Sequence, residues 1–356
     1  MKLVRYGPPG REKPGLIDAD GVLRDLSRKV DDIDGEALAP ASLSGLRKLD
    51  VRRLPAVKGR PRLGPCVATP SKFIAIGLNF SDHAKETGAP IPEHPVVFFK
   101  APTCIVGAND NIMQPLDSTQ LDWEVELGVV IGRTARYVAV KDALRYVAGY
   151  CVINDVSERE FQLKKSASQW SKGKGCDTFG PLGPYLVTSD EVKDPQNLDM
   201  WLDVNGERRQ TGNTRTMIFN VAQIVADVSR YMTLLPGDVI TTGTPPGAVG
   251  RIARGARGAL LPRAPRREIA HQRAGAERPR CDRIGVIDAI RKRAQRRRGD
   301  RHDVAYLVRE AETRSVAILR RCEHRAEEQH QAVRILMVRP NRLADEIERI
   351  ATDLGD

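Results

Sequence analysis

Leu121-Asp122-Trp123-Glu124-Val125-Glu126-Leu127-Gly128-Val129-Val130-Ile131-Gly132 is the stretch whose reading decides the fold. Apolar and β-branched residues dominate it, and Gly128 and Gly132 are taken to punctuate its end, so it is predicted to be a β-strand. On a strand, side chains two apart share a face. Glu124 and Glu126 therefore project together, with Val125 and Leu127 on the other face. Two carboxylates on one face of an apolar strand repel each other and are costly to desolvate. A hard divalent cation removes both costs, and oxygen donors suit Mg2+, Mn2+ or Ca2+. The alternative is an acidic edge facing solvent, because such a pair marks a site only statistically.

Downstream, Lys141–Val147 is predicted to be a short helix and Ala148–Ile153 a strand. Asp155 stands at the mouth of that strand, where ligands are commonly placed. Its alternative is a helix N-cap, with Ser157 competing for the same task. Glu124, Glu126 and Asp155 together would leave the remaining positions of an octahedral Mg2+ for water or substrate. Trp170 to Pro181 is Gly-rich and carries Lys172 and Lys174, but it lacks the spacing of a nucleotide P-loop. A lysine held there beside a polarised carbonyl would stabilise developing negative charge; otherwise it is a solvated side chain. Asn205-Gly206 joins two strands, 200–204 and 207–210, as a hairpin. Ile218–Met232 has helical spacing, and Val239–Thr242 is a strand ending in Gly243-Thr244-Pro245-Pro246-Gly247.

Upstream, Pro95–Lys100 is a buried strand, and Lys72–Gly77 another that runs into Asn79-Phe80-Ser81-Asp82-His83-Ala84-Lys85-Glu86. Ser81 or Asp82 is expected to cap a short helix. His83 and Glu86 then share a helical face, and a carboxylate beside an imidazole suits it to act as a general base toward water. The alternative is an ordinary surface His–Glu contact. Residues 88–92 look like a loop able to serve as a lid. Residues 1–65 form a small β-rich module with a helical stretch at Ala37–Leu49, and 55–65 is a Pro/Gly-broken linker.

The formal net charge of +11 over 356 residues is unevenly placed. Residues 1–250 hold 31 Lys+Arg against 30 Asp+Glu, and residues 251–356 hold 26 against 16, so the excess is +1 and +10. Every Phe and Trp precedes residue 251. The six Cys (66, 104, 151, 176, 281, 322) form no CxxC pair, which points to neither a zinc site nor a redox motif. No apolar run is long enough to span a bilayer and no secretory signal is visible, so a soluble, cytoplasmic protein is expected.

Five motifs occur in order: Asn-Phe-Ser-Asp-His-Ala-Lys-Glu (79–86), Asp-Trp-Glu-Val-Glu-Leu-Gly (122–128), Asn-Asp-Val-Ser-Glu-Arg-Glu-Phe-Gln (154–162), Gly-Lys-Gly-Cys-Asp-Thr-Phe-Gly-Pro (173–181) and Thr-Thr-Gly-Thr-Pro-Pro-Gly (241–247). Over about residues 1–250 the chain resembles the fumarylacetoacetate hydrolase family. Within it, the sequence is most similar to the bacterial 2,4-diketo-3-deoxy sugar-acid hydrolases, often labelled ureidoglycolate lyase. The resemblance implies a mixed β-rich α+β fold. A β-roll catalytic domain (70–250) would follow a small N-terminal β domain (1–65), and homodimers would be usual. It implies Glu124, Glu126 and Asp155 as ligands of Mg2+ or Mn2+, with Ca2+ less favoured. It implies His83 and Glu86 as a water-activating dyad on a lid, Lys174 as the stabiliser of an enolate or oxyanion, and Arg159, Gln162 and Thr244 as substrate contacts. Gly175 departs from the pattern, where close relatives tend to have Ser. The implied reaction is C–C cleavage of a 2,4-diketo acid of acylpyruvate type; isomerisation, decarboxylation or ureidoglycolate lyase chemistry would use the same site.

After Gly247 the family pattern stops, and an Arg/Ala/Gly/Pro bias runs to about residue 300. The expectation is a frameshifted end at 251–356, irregular or loosely helical, that lacks the family's last strand and offers no substitute. The rival is a basic tail binding nucleic acid or other anions nonspecifically, supported by the cluster Arg291, Lys292, Arg293, Arg296, Arg297 and Arg298. Two function classes therefore follow: a metal-dependent C–C hydrolase, or a truncated inactive protein with an anion-binding tail.

Overall fold

The computed structural model describes residues 1–248 and the backbone of Gly258–Arg263. It opens with an antiparallel meander: β1 (Lys2–Tyr6), β2 (Lys13–Ile17) and β3 (Leu23–Asp25). Helix α1 is Pro40–Arg47, shorter than the apolar spacing from Ala37 to Leu49 predicts, because Pro40 fixes its first turn. Next come β4 (Phe73–Gly77), α2 (Ser81–Thr87), β5 (Val96–Lys100), β6 (Ile105–Gly107), β7 (Leu121–Asp122), β8 (Val125–Ile131) and β9 (Val147–Asn154). The remainder is β10 (Ser157–Glu158), α3 (Arg159–Leu163), α4 (Ser171–Lys174), β11 (Gly180–Leu182), β12 (Leu186–Thr188), β13 (Asp199–Val204), β14 (Glu207–Asn213), α5 (Val221–Tyr231), β15 (Val239–Thr241) and β16 (Gly258–Arg263).

One mixed sheet carries most of these strands in the order β3-β2-β1-β12-β9-β8-β15-β4-β5, with β11 and β6 branching from β9. The N-terminal strands thus join the same sheet as the later ones, through β1 and β12. The described residues lie in one compact unit, Met1–Glu268.

Side-chain alternation across this sheet builds two cores. Val125, Leu127, Val129 and Ile131 of β8 pack with Ile74 and Ile76 of β4, Tyr150 and Val152 of β9, and Ile240 of β15. Helix α5 covers this side with Val221, Ile224, Val225 and Val228; Asn220 and Gln223 close its start by reciprocal capping bonds. Val130 faces the other way, with Phe73, Cys151, Ile153 and Val239. A fully buried large aliphatic side chain contributes about 1.5–3 kcal/mol, so both faces strongly resist a slip in register.

Several expectations need correction. The 121–132 stretch is two strands, because the chain leaves the ladder at Trp123–Glu124. There the Trp123 amide donates to Asp122 Oδ1 (2.9 Å) and the Glu124 amide to Asn154 Oδ1 (3.0 Å). Gly128 lies inside β8 rather than ending it; a Cβ there would stand 2.6 Å from Ile153 Cδ1 and 2.7 Å from Cys151 Sγ. Neither Ser81 nor Asp82 caps α2, whose N-cap is Phe80; Asp82 instead accepts from Thr216 Oγ1. Neither Asp155 nor Ser157 caps α3, because Glu158 accepts from the Phe161 amide (2.7 Å). The predicted helix over 141–147 is a 3-10 segment, Val140–Tyr146.

The expected absence of a substitute strand is also corrected. Gly258–Arg263 pairs antiparallel along the whole of β13 and completes a three-stranded sheet, β14-β13-β16. A ladder needs only main-chain groups, and Pro262 is tolerable because β16 is the edge of this sheet among the described residues. The other expectations for the tail, frameshift product, loose helices or anion-binding arm, fall outside the described residues. Among the described residues no helix is long and apolar enough to cross a membrane.

Candidate metal centre

The charged face follows from the parity of β8 and β9. Glu126 pairs with Ile153 in the antiparallel register. Asp155 lies two residues beyond Ile153, and its amide donates to the Glu124 carbonyl (2.8 Å), so the pairing continues past the end of β8. Glu124, Glu126 and Asp155 therefore share one face. One ligand oxygen from each lies within 4.8 Å of the others, and all three residues are buried. Glu126 sits within β8, while Glu124 and Asp155 flank the ends of β8 and β9 and are tied to each other by that main-chain bond.

Three cations balance the carboxylates. Lys174, at the end of α4 and only 2% exposed, donates from Nζ to Glu124 Oε2 (2.6 Å) and Asp155 Oδ2 (2.8 Å). Arg159 Nη2 lies 2.7 Å from Glu124 Oε1 and 2.7 Å from Asp122 Oδ2. Lys100, 1% exposed, donates to Asp155 Oδ1 (2.5 Å). Glu126 is held differently: Thr241 Oγ1 and the Gly243 amide both donate to its Oε2.

Burial works against ionisation of Glu124, but the Lys174 and Arg159 charges overcome it and bring its carboxyl down to about 2. Glu126 goes the other way. Burial, then the charges of Asp155 and Glu124, push it well above the usual carboxylate range. The Lys174 ammonium is desolvated, yet Asp155 and Glu124 raise its proton affinity. Burial and the neighbouring Glu124 raise Asp122 against the pull of Arg159. A buried carboxylate cluster with one member resisting ionisation is short of positive charge. Its oxygen-only donor set fits a hard divalent cation, with Glu124, Glu126 and Asp155 to hold it.

The remaining predicted residues surround this centre. Arg159 Nη1 donates to Gln162 Oε1 (2.9 Å), and Nη2 to the Ala248 carbonyl (3.0 Å). His83 Nδ1 lies 2.9 Å from Glu86 Oε2 on α2. The Glu86 carboxylate also accepts from the Gly247 amide at 3.1 Å, and Trp123 Nε1 donates to the Gly247 carbonyl (3.1 Å). The dyad's helix is thus tied to the segment that follows β15 and runs beside the cluster. Gly247 has φ +97°, and a Cβ there would lie 2.1 Å from the Arg209 carbonyl oxygen. The Thr244 hydroxyl is buried inside the scaffold, donating to the Val125 carbonyl (2.9 Å) and accepting from Gln210 (2.8 Å). Gly175 closes α4 with its amide on the Ser171 carbonyl (2.8 Å). Phe98 and Trp170, edge to face at 5.5 Å, wall the lysine side; Lys174 Nζ lies 5.7 Å from the Phe98 ring. A surface cavity of about 480 Å3 near Asp34 and Leu46 contains none of these residues. Convergence of buried charges, not cavity size, locates the site.

Sequence reading missed Lys100, Asp122 and Thr241. Lys100 gave a usable signal, a lysine ending the apolar run Val96–Phe99. Asp122 lay inside a quoted motif, but only the fold pairs it with Arg159.

Residues 72–274 match the family described as fumarylacetoacetate (FAA) hydrolase C-terminal, which runs past the boundary near residue 250 set by sequence reading. A protein of Burkholderia multivorans, described no further than as a provisional hydrolase, is 62% identical over 69% of this chain and 87% of its own length. The 5-carboxymethyl-2-hydroxymuconate delta-isomerase of Mycobacterium smegmatis is 33% identical with TM-score 0.59, over 74% of this chain and 95% of that one. The maleylpyruvate hydrolase of Sphingobium sp. SYK-6, solved with manganese(II) and pyruvate, is 28% identical with TM-score 0.63 over the same shares.

Proposed function

The chain belongs to the fumarylacetoacetate hydrolase family, and from that premise we propose that it is a divalent-metal-dependent hydrolase cleaving the C–C bond of a 2,4-diketo acid of acylpyruvate type. The observation that carries this reading is the buried triad of Glu124, Glu126 and Asp155 within 4.8 Å, with Lys174 bridging Glu124 and Asp155. The similar maleylpyruvate hydrolase, holding manganese and pyruvate, supports it. Mg2+ or Mn2+ is the proposed ion. When bound, such an ion supplies Lewis-acid polarisation of the substrate's carboxylate and 2-oxo group.

The protein's own groups do the rest. With Nδ1–H directed at Glu86, the His83 ring has Nε2 free to take a proton from water. The water oxygen adds to the distal carbonyl carbon. The C–C bond then breaks, its electron pair stays with the pyruvate fragment as an enolate, and the proton held on His83 returns to that carbon. The products are pyruvate and a carboxylic acid. The Lys174 ammonium stabilises the enolate charge, and Arg159, oriented by Gln162, meets the substrate carboxylate. We further propose a homodimer and a cytoplasmic setting.

The similar delta-isomerase favours a second reading, in which a base takes a C–H proton from the substrate, the resulting dienolate is reprotonated at another carbon, and no C–C bond is broken. One assay separates the two. Mn2+-loaded protein is mixed with an acylpyruvate panel, diketo absorbance is followed, and pyruvate is measured by coupled reduction. Loss of absorbance with stoichiometric pyruvate supports the hydrolase. Spectral change without pyruvate supports the isomerase and overturns the hydrolase reading, as does silence across the panel.

A further inference from the structure

Lys100 is fully buried, and the mechanism above does not use it. It ends β5, with its backbone opposite Phe73 and its ammonium 5.9 Å from the Phe73 ring. Its Nζ has three acceptors: Asp155 Oδ1 at 2.5 Å, the Lys174 carbonyl, and the Val156 carbonyl at 3.4 Å. An ammonium has three N–H groups and no acceptor. All three donors of Lys100 are therefore engaged with the protein, and none is left for a substrate.

The three acceptors belong to different parts of the site. Asp155 is a member of the carboxylate triad. Val156 is the next residue on the segment leaving β9. Lys174 is the last residue of α4, and the final carbonyls of any helix lack partners within it. One buried charge thus fastens the triad and the short helix that carries the bridging lysine to the same strand. By occupying Asp155 Oδ1, Lys100 also turns Oδ2 toward Lys174.

We propose that Lys100 is a positioning residue: it fixes Asp155 and the C-terminus of α4 together, and so sets where the Lys174 ammonium stands. This rests on the proposed function for its kinetic consequence, but not for its structural one. Neither surface lysines nor an apolar replacement can reproduce it, because the strut needs charge and three donors at one buried point.

The test replaces Lys100 with Met, which keeps length and apolar volume, and with Gln, which keeps two donors. The direct readout is reductive methylation of Lys174, followed by mass spectrometry on metal-free protein with a cooperative melt. In Lys100→Met, loss of the strut exposes Lys174, and its modification rate rises about tenfold or more through local opening. Lys100→Gln falls between Met and wild type. At saturating Mn2+, kcat on an acylpyruvate falls about 10- to 100-fold in the Met variant, the range for a group supporting a metal ligand, while KM changes by no more than about twofold. If the Met variant does not fold, the Gln variant is judged by the same rates. Unchanged Lys174 protection in a folded variant overturns the proposal. If wild type turns over no acylpyruvate, the functional reading fails, and Lys174 protection still decides this one.

Discussion

Glu126→Gln is expected to stabilise the metal-free protein while abolishing its capacity for a divalent ion. In the folded chain Glu126 lies within 4.8 Å of both Glu124 and Asp155 through ligand oxygens. Two unit charges at that separation repel by about 3.5 kcal/mol at an effective dielectric of about 20. The Lys174 charge offsets part of this. A glutamine oxygen can still accept from Thr241 Oγ1 and the Gly243 amide, so no donor is orphaned. The expected net gain is about 1–3 kcal/mol, of the order seen when buried ionic groups become neutral ones of like shape. At about 2–4 °C per kcal/mol for a unit of this size, the melting temperature at pH 7 in chelator rises by about 2–12 °C. The sign of the pH dependence is also fixed. Burial, with Asp155 and Glu124, raises the folded-state value of Glu126 above its unfolded 4.5. Its contribution is thus fully present below pH 4.5 and is lost as pH rises toward the folded value. The gap between variant and wild type must therefore close as pH falls toward 4.5. Calorimetry with Mn2+ should show binding to wild type only. A variant that melts lower at pH 7, a gap that stays constant down to pH 4.5, or Mn2+ binding undiminished would each refute the reasoning.

His83→Ala should lower turnover about 10²- to 10⁴-fold with Mn2+ affinity intact; a wild-type rate counts against the base assignment. Glu124 has the opposite linkage to Glu126. Burial opposes its ionisation but Lys174 and Arg159 win, so its stabilisation is full above 4.5 and is lost as pH falls toward about 2. Acid melts of Glu124→Gln should lack that limb, and an identical acid profile would contradict the pairing. Asn220→Ala removes the reciprocal cap of α5 and should cost about 1 kcal/mol in urea melts, while a loss below measurement error would show the cap to be idle. A chain ending at residue 248 lacks β16 and bares the edge of β13, so light scattering should show more association than in the full chain; equal scattering would argue that the edge is protected in some other way.

The carboxylate face was legible because its signal is local. A period of two over Glu124 to Glu126 places both groups without any knowledge of the fold, and Asp155 follows from its place beyond a strand end. The i, i+3 pairing of His83 with Glu86 is local in the same sense, and the structure shows the contact at 2.9 Å. The cations were harder. Lys174 stood in a Gly-rich stretch that reads as solvated loop, and only its helix and the opposing strands bury it. Lys100 and Asp155 are 55 residues apart, and nothing between them announces that contact. Thr244 shows the converse: its place in a motif suggested a substrate contact, while its hydroxyl bonds join the segment after β15 to β8 and β14. The strand at Gly258–Arg263 was missed because composition drew attention to arginine, whereas pairing is decided by the backbone and by the open edge of β13.

The alternation that separates Glu124 and Glu126 from Val125 and Leu127 also limits how this protein can change over generations. Removing or adding one residue between Glu124 and Glu126 would put the two carboxylates on opposite faces. One acidic group would then enter the aliphatic layer formed with Ile74, Leu202 and Ile224. No point substitution nearby could repair that, because the parity of the strand itself would have changed. Point changes can therefore drift through these strands while changes of length cannot. Insertions must collect in stretches such as residues 88–95, which pair with no strand. For anyone grafting this centre onto another scaffold, the spacing of the strand pair, rather than the identity of any one side chain, is the part to be copied without alteration.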